Sequence, residues 1–263
     1  DGFRCDVAPM VPLWFWEKAR AAVAEINLDF IWLSESIEPA FIRDLRAQGV
    51  TAASDGEIFR AFDVSYDYDI YKELTGYLWE GRPLAEYLDA VNRQECIYPE
   101  NYVKLRFLEN HDQTRIRFMV PDEKALRNIT AFSFFQKGMA FLYAGQEYGV
   151  SHLPSLFDKD TVSMKPESGT DLSDLIRRLA AIKKDPLFAD STYRVTTSGR
   201  DMVTAMHSGN GRRIVGIFSL KGESGPAHTP LPDGVYENLI DGTPVEVFRE
   251  HVVSHGEPMI LSL

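Results

Sequence analysis

Phe107-Leu108-Glu109-Asn110-His111-Asp112 is an apolar, strand-like run that ends in carboxylates, then gives way to a loop and a helical pattern. Gly2-Phe3-Arg4-Cys5-Asp6 and Trp32-Leu33-Ser34-Glu35 are built the same way. A carboxylate at the C-terminal end of a strand in a βα unit sits on the face where such folds do chemistry. Two carboxylates converging on one sugar ring are the basic apparatus of glycoside hydrolysis.

Working outward, the first two-thirds of the chain alternates short apolar runs with helix-period stretches. Strands are expected at Gly2–Val7, Phe30–Leu33, Val50–Ala53, Val103–Leu108 and Met139–Tyr143. Helices are expected at Pro12–Asn27, Pro39–Gln48, Ile70–Trp79, Pro83–Gln94, Asp122–Lys137 and Asp171–Lys184. Proline in the first turn, Gly49 after the second helix and a cap at Thr170 or Asp171 mark the boundaries. Such alternation means parallel strands with helical crossovers, either a doubly wound sheet or a (β/α)8 barrel. Five βα units fall in the first 185 residues, whereas a barrel needs eight in about 250. After Asp185-Pro186 the segments become short and β-rich. They are Tyr193–Thr197, Met202–His207, Arg213–Leu220, Gly234–Ile240, Val245–Phe248 and Met259–Leu263. Asn210-Gly211, Asp233-Gly234 and Asp241-Gly242 are turn signals between them. Gly222–Pro232 reads as a loop. The division expected is a catalytic α/β part over 1–185 and a small antiparallel β-sandwich over 186–263.

A net charge of −11 argues against nucleic acid or an anionic membrane surface as partner, and favours a neutral ligand. No apolar run is long enough to span a bilayer. Two cysteines, Cys5 and Cys96, exclude a disulfide framework and lean towards a reducing, cytoplasmic compartment. No Cys/His set has zinc spacing, no glycine loop cradles phosphate, and no serine elbow appears.

Arg4 lies two residues before Asp6, on the same strand face. An arginine beside a carboxylate keeps it ionised, as a nucleophile needs; a structural ion pair is the plainer alternative. Glu35 follows an aromatic, branched run, and a carboxyl against an apolar wall can stay protonated as a general acid. A first-turn acid before Pro39 would look the same. Glu38 reads as helix N-terminal. Asn110-His111-Asp112 places an imidazole and a carboxylate together just past a strand, either for sugar hydroxyls or as a capped loop. Arg115 would pair with Asp112 or solvent. Asp55-Gly56 reads as a turn and helix start, Tyr66–Asp69 as a solvated helix entry, and Gly145-Gln146-Glu147 as support for the loop floor. Trp14, Trp16 and Trp79 read as packing residues.

Taken together, these segments resemble the α-amylase family, glycoside hydrolase family 13. Asp1–Asp6 resembles its nucleophile motif, and Trp32–Ser36 its general-acid motif, with Ser34 where glycine is commoner. Phe107–Arg115 is similar to the motif of the transition-state-stabilising aspartate. Phe141–Glu147 is similar to a signature after the eighth strand. The resemblance implies a retaining double displacement on starch-like or maltooligosaccharide substrates. Asp6 would be nucleophile, Glu35 acid and base, and Asp112 stabiliser; Arg4 would orient Asp6 and His111 would bind the ring. It also implies that the chain corresponds to strands 4–8 of a (β/α)8 TIM barrel, since the family's first motif and strands one to three find no counterpart. No cofactor is expected here; calcium would belong to the missing N-terminal part. Two raw sheet edges would leave the fragment inactive until it joined that N-terminal half or a second copy. A transglycosylase or isomerase of the same family, and a non-catalytic interaction subunit, are the alternatives.

Overall fold

The computed structural model describes residues 1–199 and 201–263. Five strands form one parallel sheet: β1 (Gly2–Cys5), β2 (Ile31–Ser34), β3 (Val64–Tyr66), β4 (Lys104–Arg106) and β5 (Met139–Ala140). Their order in space is their order in the chain. That monotonic order lacks the reversal that defines a doubly wound sheet. Helices α1 (Leu13–Ala24), α2 (Pro39–Ala47), α3 (Asp55–Ile58), α4 (Tyr71–Glu80), α5 (Leu84–Ile97), α6 (Ile116–Met119) and α7 (Glu123–Phe135) make the crossovers, and α8 (Ser173–Ile182) follows β5.

The third strand is not where its residues predicted. Val50–Ala53 is a loop, tied down by Arg46 Nε to the Ala52 carbonyl and by the Ala53 amide to the Pro9 carbonyl. Val64–Tyr66 takes its place, and Tyr66–Asp69 is buried rather than a solvated helix entry. The polar residues that disguised this strand are consumed by charge pairing with β4. Arg106 Nη1 lies 2.7 Å from Asp67, and Lys104 Nζ lies 2.8 Å from Asp69 and contacts Asp55. These groups project from the sheet toward α5, whose Gln94 donates to Asp67 at 2.8 Å and to Asp69 at 2.9 Å. β5 pairs with β4 through Gly138 at φ 109°, where a Cβ would collide with the Lys104 carbonyl oxygen.

The C-terminal strands β6 (Thr192–Thr197), β7 (Met202–Gly209), β8 (Arg212–Ser219) and β13 (Met259–Ser262) form an antiparallel sheet in the order β13-β8-β7-β6. Asn210 and Gly211 both have positive φ, as a two-residue hairpin of this twist requires. β9 (Gly225–His228) pairs with β12 (His251–Ser254), and β10 (Gly234–Glu237) with β11 (Pro244–Val247). β9 lies inside the stretch expected to be loop, because Gly, Pro and Ser hid its register.

One face of the four-stranded sheet packs on α7. Phe132 and Phe135 meet Phe218 with ring centroids 5.4 and 5.5 Å apart. The other face packs Val215, Ile217 and Leu261 on Val247 and Val252 of the smaller sheets. The tail is therefore continuous with the main core on one side. Among the described residues no helix is long and apolar enough to cross a membrane. Both cysteines are free, Cys5 buried and Cys96 exposed.

Candidate active site

The ends of β1, β2 and β4 bring the predicted residues to one open cleft of about 800 Å³. Arg4, on β1, is the hub. Its Nη1 donates to Asp6 Oδ1 at 2.6 Å, and its Nη2 contacts Glu35 Oε1. Parallel pairing sets this up, since Arg4 lies opposite Leu33 and Cys5 opposite Ser34. The strand ends therefore deliver Asp6 and Glu35 side by side. The Val7 amide donates to Glu35 Oε2 at 2.9 Å. His111 Nε2 lies 3.7 Å from Glu35 Oε1 and 3.2 Å from Asp112 Oδ2.

The two leading carboxyls differ in environment. Asp6 points into solvent and its bond to Arg4, aided by Glu35, holds its pKa below the usual carboxylate range. Glu35 is buried, and burial pushes its pKa up; the neighbouring Asp6 adds to this, while the Val7 amide and Arg4 oppose it. One acid is therefore disposed to be ionised and the other to hold a proton, the division of labour that paired carboxylates need.

Asp112 is presented by a built loop. Its amide donates to Asn110 Oδ1 at 2.9 Å, and Asn110 Nδ2 donates to the Tyr68 hydroxyl at 2.8 Å. Tyr68 stands in an aromatic wall with Tyr66, Tyr71 and Phe107. Arg115 pairs with neither Asp112 nor solvent. It is fully buried against Glu109 at 2.6 Å and donates to the Ala144 carbonyl at 3.0 Å and the His152 carbonyl at 2.9 Å. Glu109 is thus a structural acid that pins this loop to the segment after β5. In that segment Glu147 accepts from the Gly145 amide at 3.0 Å, as expected of a loop floor.

Donor atoms of Glu35, His111 and Asp112 all lie within 4.8 Å of one another, the one such group of His, Cys, Asp or Glu among the described residues. The sequence did not single out Phe41, Leu156 and Phe157, which also line the cleft; Phe157 is 95% exposed. Leu156 and Phe157 lie in a loop with no periodicity to flag them, and Phe41 stands on the exposed side of α2, away from the Ile42 and Leu45 that mark its buried face. The tryptophans divide. Trp16 donates to the Ala8 carbonyl at 3.0 Å, whereas Trp14 and Trp79 are exposed and do not pack as core.

Comparison with known proteins covers nearly the whole chain. Residues 1–192 match the model of the α-amylase catalytic domain, and 194–261 match that of the bacterial α-amylase C-terminal domain. The crystal structure of an α-amylase from Lactobacillus plantarum is 36% identical and superposes with a TM-score of 0.95, over all of this chain and 62% of that one. A noncanonic maltogenic α-amylase, AmyB from Thermotoga neapolitana, is 28% identical with a TM-score of 0.83, over 61% of its length. Alpha-amylase MalA of Haloarcula japonica is 27% identical over 90% of this chain and 35% of its own. The chain thus spans about a third of that curated relative and about three-fifths of the two solved structures. With nearly its whole length matched in this way, the chain belongs to the α-amylase family.

Proposed function

We propose that this chain carries the carboxylates of a retaining glycoside hydrolase acting on α-glucosidic bonds of the starch and maltooligosaccharide type. The observation that carries the proposal is a single guanidinium, Arg4, bridging an exposed, acid-shifted Asp6 and a buried, base-shifted Glu35. A shared arginine suits the short carboxyl separation of retaining enzymes, about 5–5.5 Å. Asp6 attacks the anomeric carbon. Glu35 gives its proton to the leaving oxygen, then takes one from the water that releases the sugar. Asp112 steadies the positive charge on the ring, and His111 binds a ring hydroxyl. Arg4 keeps Asp6 ionised and oriented.

The five strands stand for strands four to eight of an eight-stranded barrel, with the β tail beginning near residue 186. β1 and β5 are sheet edges, and unpaired edges seek partners. Phe3 on β1, Met139 on β5 and Leu142 just beyond it are exposed, and α1 buries no residue. The occupant is the barrel half that the Lactobacillus plantarum structure has beyond this chain, or a second copy, and hydrolysis needs it.

The test uses a chromogenic maltooligosaccharide, with the chain alone and with that half supplied in trans. Hydrolysis should appear only in the mixture. Glu35→Gln should lower it by about 10²–10⁴-fold. Full-rate hydrolysis by the chain alone would remove the need for a partner. A mixture whose activity is unchanged by Glu35→Gln would remove the assigned acid.

A further inference from the structure

β1 ends at Cys5, and within two residues the chain must enter the short helical turn Ala8–Met10. It does so through Val7, at φ 41° and ψ 41°. A β-branched residue in the left-handed region is a true outlier, since its Cβ crowds the following carbonyl. The other non-glycine residues with positive φ among those described are Ser168, Asn210, Arg249 and Glu250, none of them β-branched. Strain of this kind persists only where the surroundings impose it, and it gathers at functional sites.

Two contacts impose it here. The Val7 carbonyl accepts from the Met10 amide at 2.9 Å, which fixes the chain beyond Val7. The Val7 amide donates to Glu35 Oε2 at 2.9 Å, which fixes the peptide before it. With the far side of Val7 held, its φ sets where that N–H points. Relaxing to an ordinary negative φ would turn the peptide away from Glu35.

We propose that Val7 is a positioning residue: its strained backbone aims an N–H at Oε2 of Glu35 and so fixes how this carboxyl stands between Arg4 and His111. This rests on the role proposed for Glu35. Oε1, the other oxygen, faces Arg4 and His111. The amide also favours the ionised form, against burial. The other groups facing Glu35 are Arg4 and Asp6 from the end of β1, His111 and Asp112 from beyond β4, and Tyr68 from beyond β3.

The test replaces Val7 by its α-hydroxy acid, which exchanges the N–H for an ester oxygen and keeps the side chain. Glu35 is titrated by carboxyl ¹³C NMR, with its resonance assigned from Glu35→Gln. Its midpoint should rise by about half a pH unit or more, as expected for loss of one hydrogen bond to the charged form. Val7→Ala, which keeps the N–H, should restore the original midpoint. A merely structural Val7 would lower stability in both variants and leave the titration unmoved. An unmoved midpoint in the ester form, or an equal rise in Val7→Ala, overturns the proposal. In the unmodified chain the Val7 amide proton should shift with the Glu35 midpoint; an amide that is flat through it overturns the proposal without any variant. None of these readouts needs turnover, so failure here is distinct from failure of the proposed reaction.

Discussion

Asp55→Asn breaks a buried ion pair, yet it should become progressively more favourable as pH rises. Between the sheet and α5, three carboxylates (Asp55, Asp67 and Asp69) face two cations (Lys104 and Arg106). Asp55, Asp67, Lys104 and Arg106 are buried, Lys104 fully so, and the Asp69 side chain is 9% exposed. One negative charge is therefore surplus, and Asp55 carries the strain of it. Burial is the largest influence on this carboxyl; Asp69 and Asp67 add to it and Lys104 opposes it, and the outcome is a pKa pushed up from 3.8 to about 6. A folded-state pKa above the unfolded value gives stability that is present at low pH and lost as pH rises through about 6. At 1.36 kcal/mol per unit, ionised Asp55 costs about 3 kcal/mol above that range, of which about 2 kcal/mol accrues between pH 4.5 and 8. Asparagine carries no such titration. It forfeits a charge-assisted bond to Lys104, which keeps Asp69 at 2.8 Å, and it forfeits an acidic first-turn residue of α3, a term of about 0.3–1 kcal/mol. Urea unfolding followed by tryptophan fluorescence, to which the buried Trp32 contributes, gives the measurement. The variant-minus-native stability should move by about 2 kcal/mol in favour of asparagine between pH 4.5 and 8, ending neutral or stabilising. Lys104→Met should do the opposite and cost about 3–5 kcal/mol at pH 8, because it strands two buried carboxylates. A pH-independent effect of Asp55→Asn, or a loss above about 1 kcal/mol at pH 8, would refute the surplus-charge argument.

Two further outcomes follow from the contact between the tail and α7. His207 is fully buried, with Nε2 2.9 Å from the Phe135 carbonyl and Nδ1 2.8 Å from the Ser191 hydroxyl, and burial lowers its pKa to about 3. The unfolded chain protonates this residue first, so its contribution is intact above about pH 6.5 and shrinks by about 2 kcal/mol from pH 7 to 5. Urea midpoints at those two pH values should fall less for His207→Gln than for the native protein, and an equal fall would discard the argument. Gly216→Ala would place a Cβ 2.5 Å from the Phe218 ring and 3.0 Å from Phe135, so it should lower stability by about 1–3 kcal/mol in the same assay. An unchanged midpoint would mean that the ring has somewhere to go.

Much of this architecture is legible in the chain, and the lapses share a cause. Helices announced themselves through proline starts, glycine stops and apolar spacing, and their limits fall within a few residues of those expected. Strands with one polar face were harder. Val64–Tyr66 sits between Asp63 and Asp67, so it looks solvated, while Val50–Ala53 has the right composition and no partner. What decides between them is pairing of Asp67 with Arg106 and of Asp63 with Arg20, each some forty residues away, which no local window contains. The same limit applies at the cleft. Side chains with a motif around them could be named, and Arg4, Asp6, Glu35, His111 and Asp112 do gather in one place. The Val7 amide could not be named, because a backbone N–H has no letter of its own and its aim depends on a dihedral angle. Arg115 was misread because its partner, Glu109, looked like part of the acidic motif rather than its anchor.

The buried charges and the cleft are two faces of the same short strand. β4 alternates Lys104, Leu105, Arg106 and then Phe107, so its cations turn toward α5 while Leu105 and Phe107 turn toward Tyr66 and Tyr68. Only two residue pairs, Ser65 with Lys104 and Tyr66 with Leu105, register β3 against β4. So short a ladder leaves register weakly specified by backbone bonding alone. A slip of one residue would turn Lys104 and Arg106 into the aromatic wall and leave both cations unpaired, a far greater penalty than the surplus carboxylate imposes. The wall would then lose Phe107 and the footing of Tyr68, from which Asn110 and hence Asp112 are hung. An ion network that adds little to stability can in this way fix where the acids of the cleft stand, and its imbalance falls on Asp55, the member farthest from them in the chain of contacts.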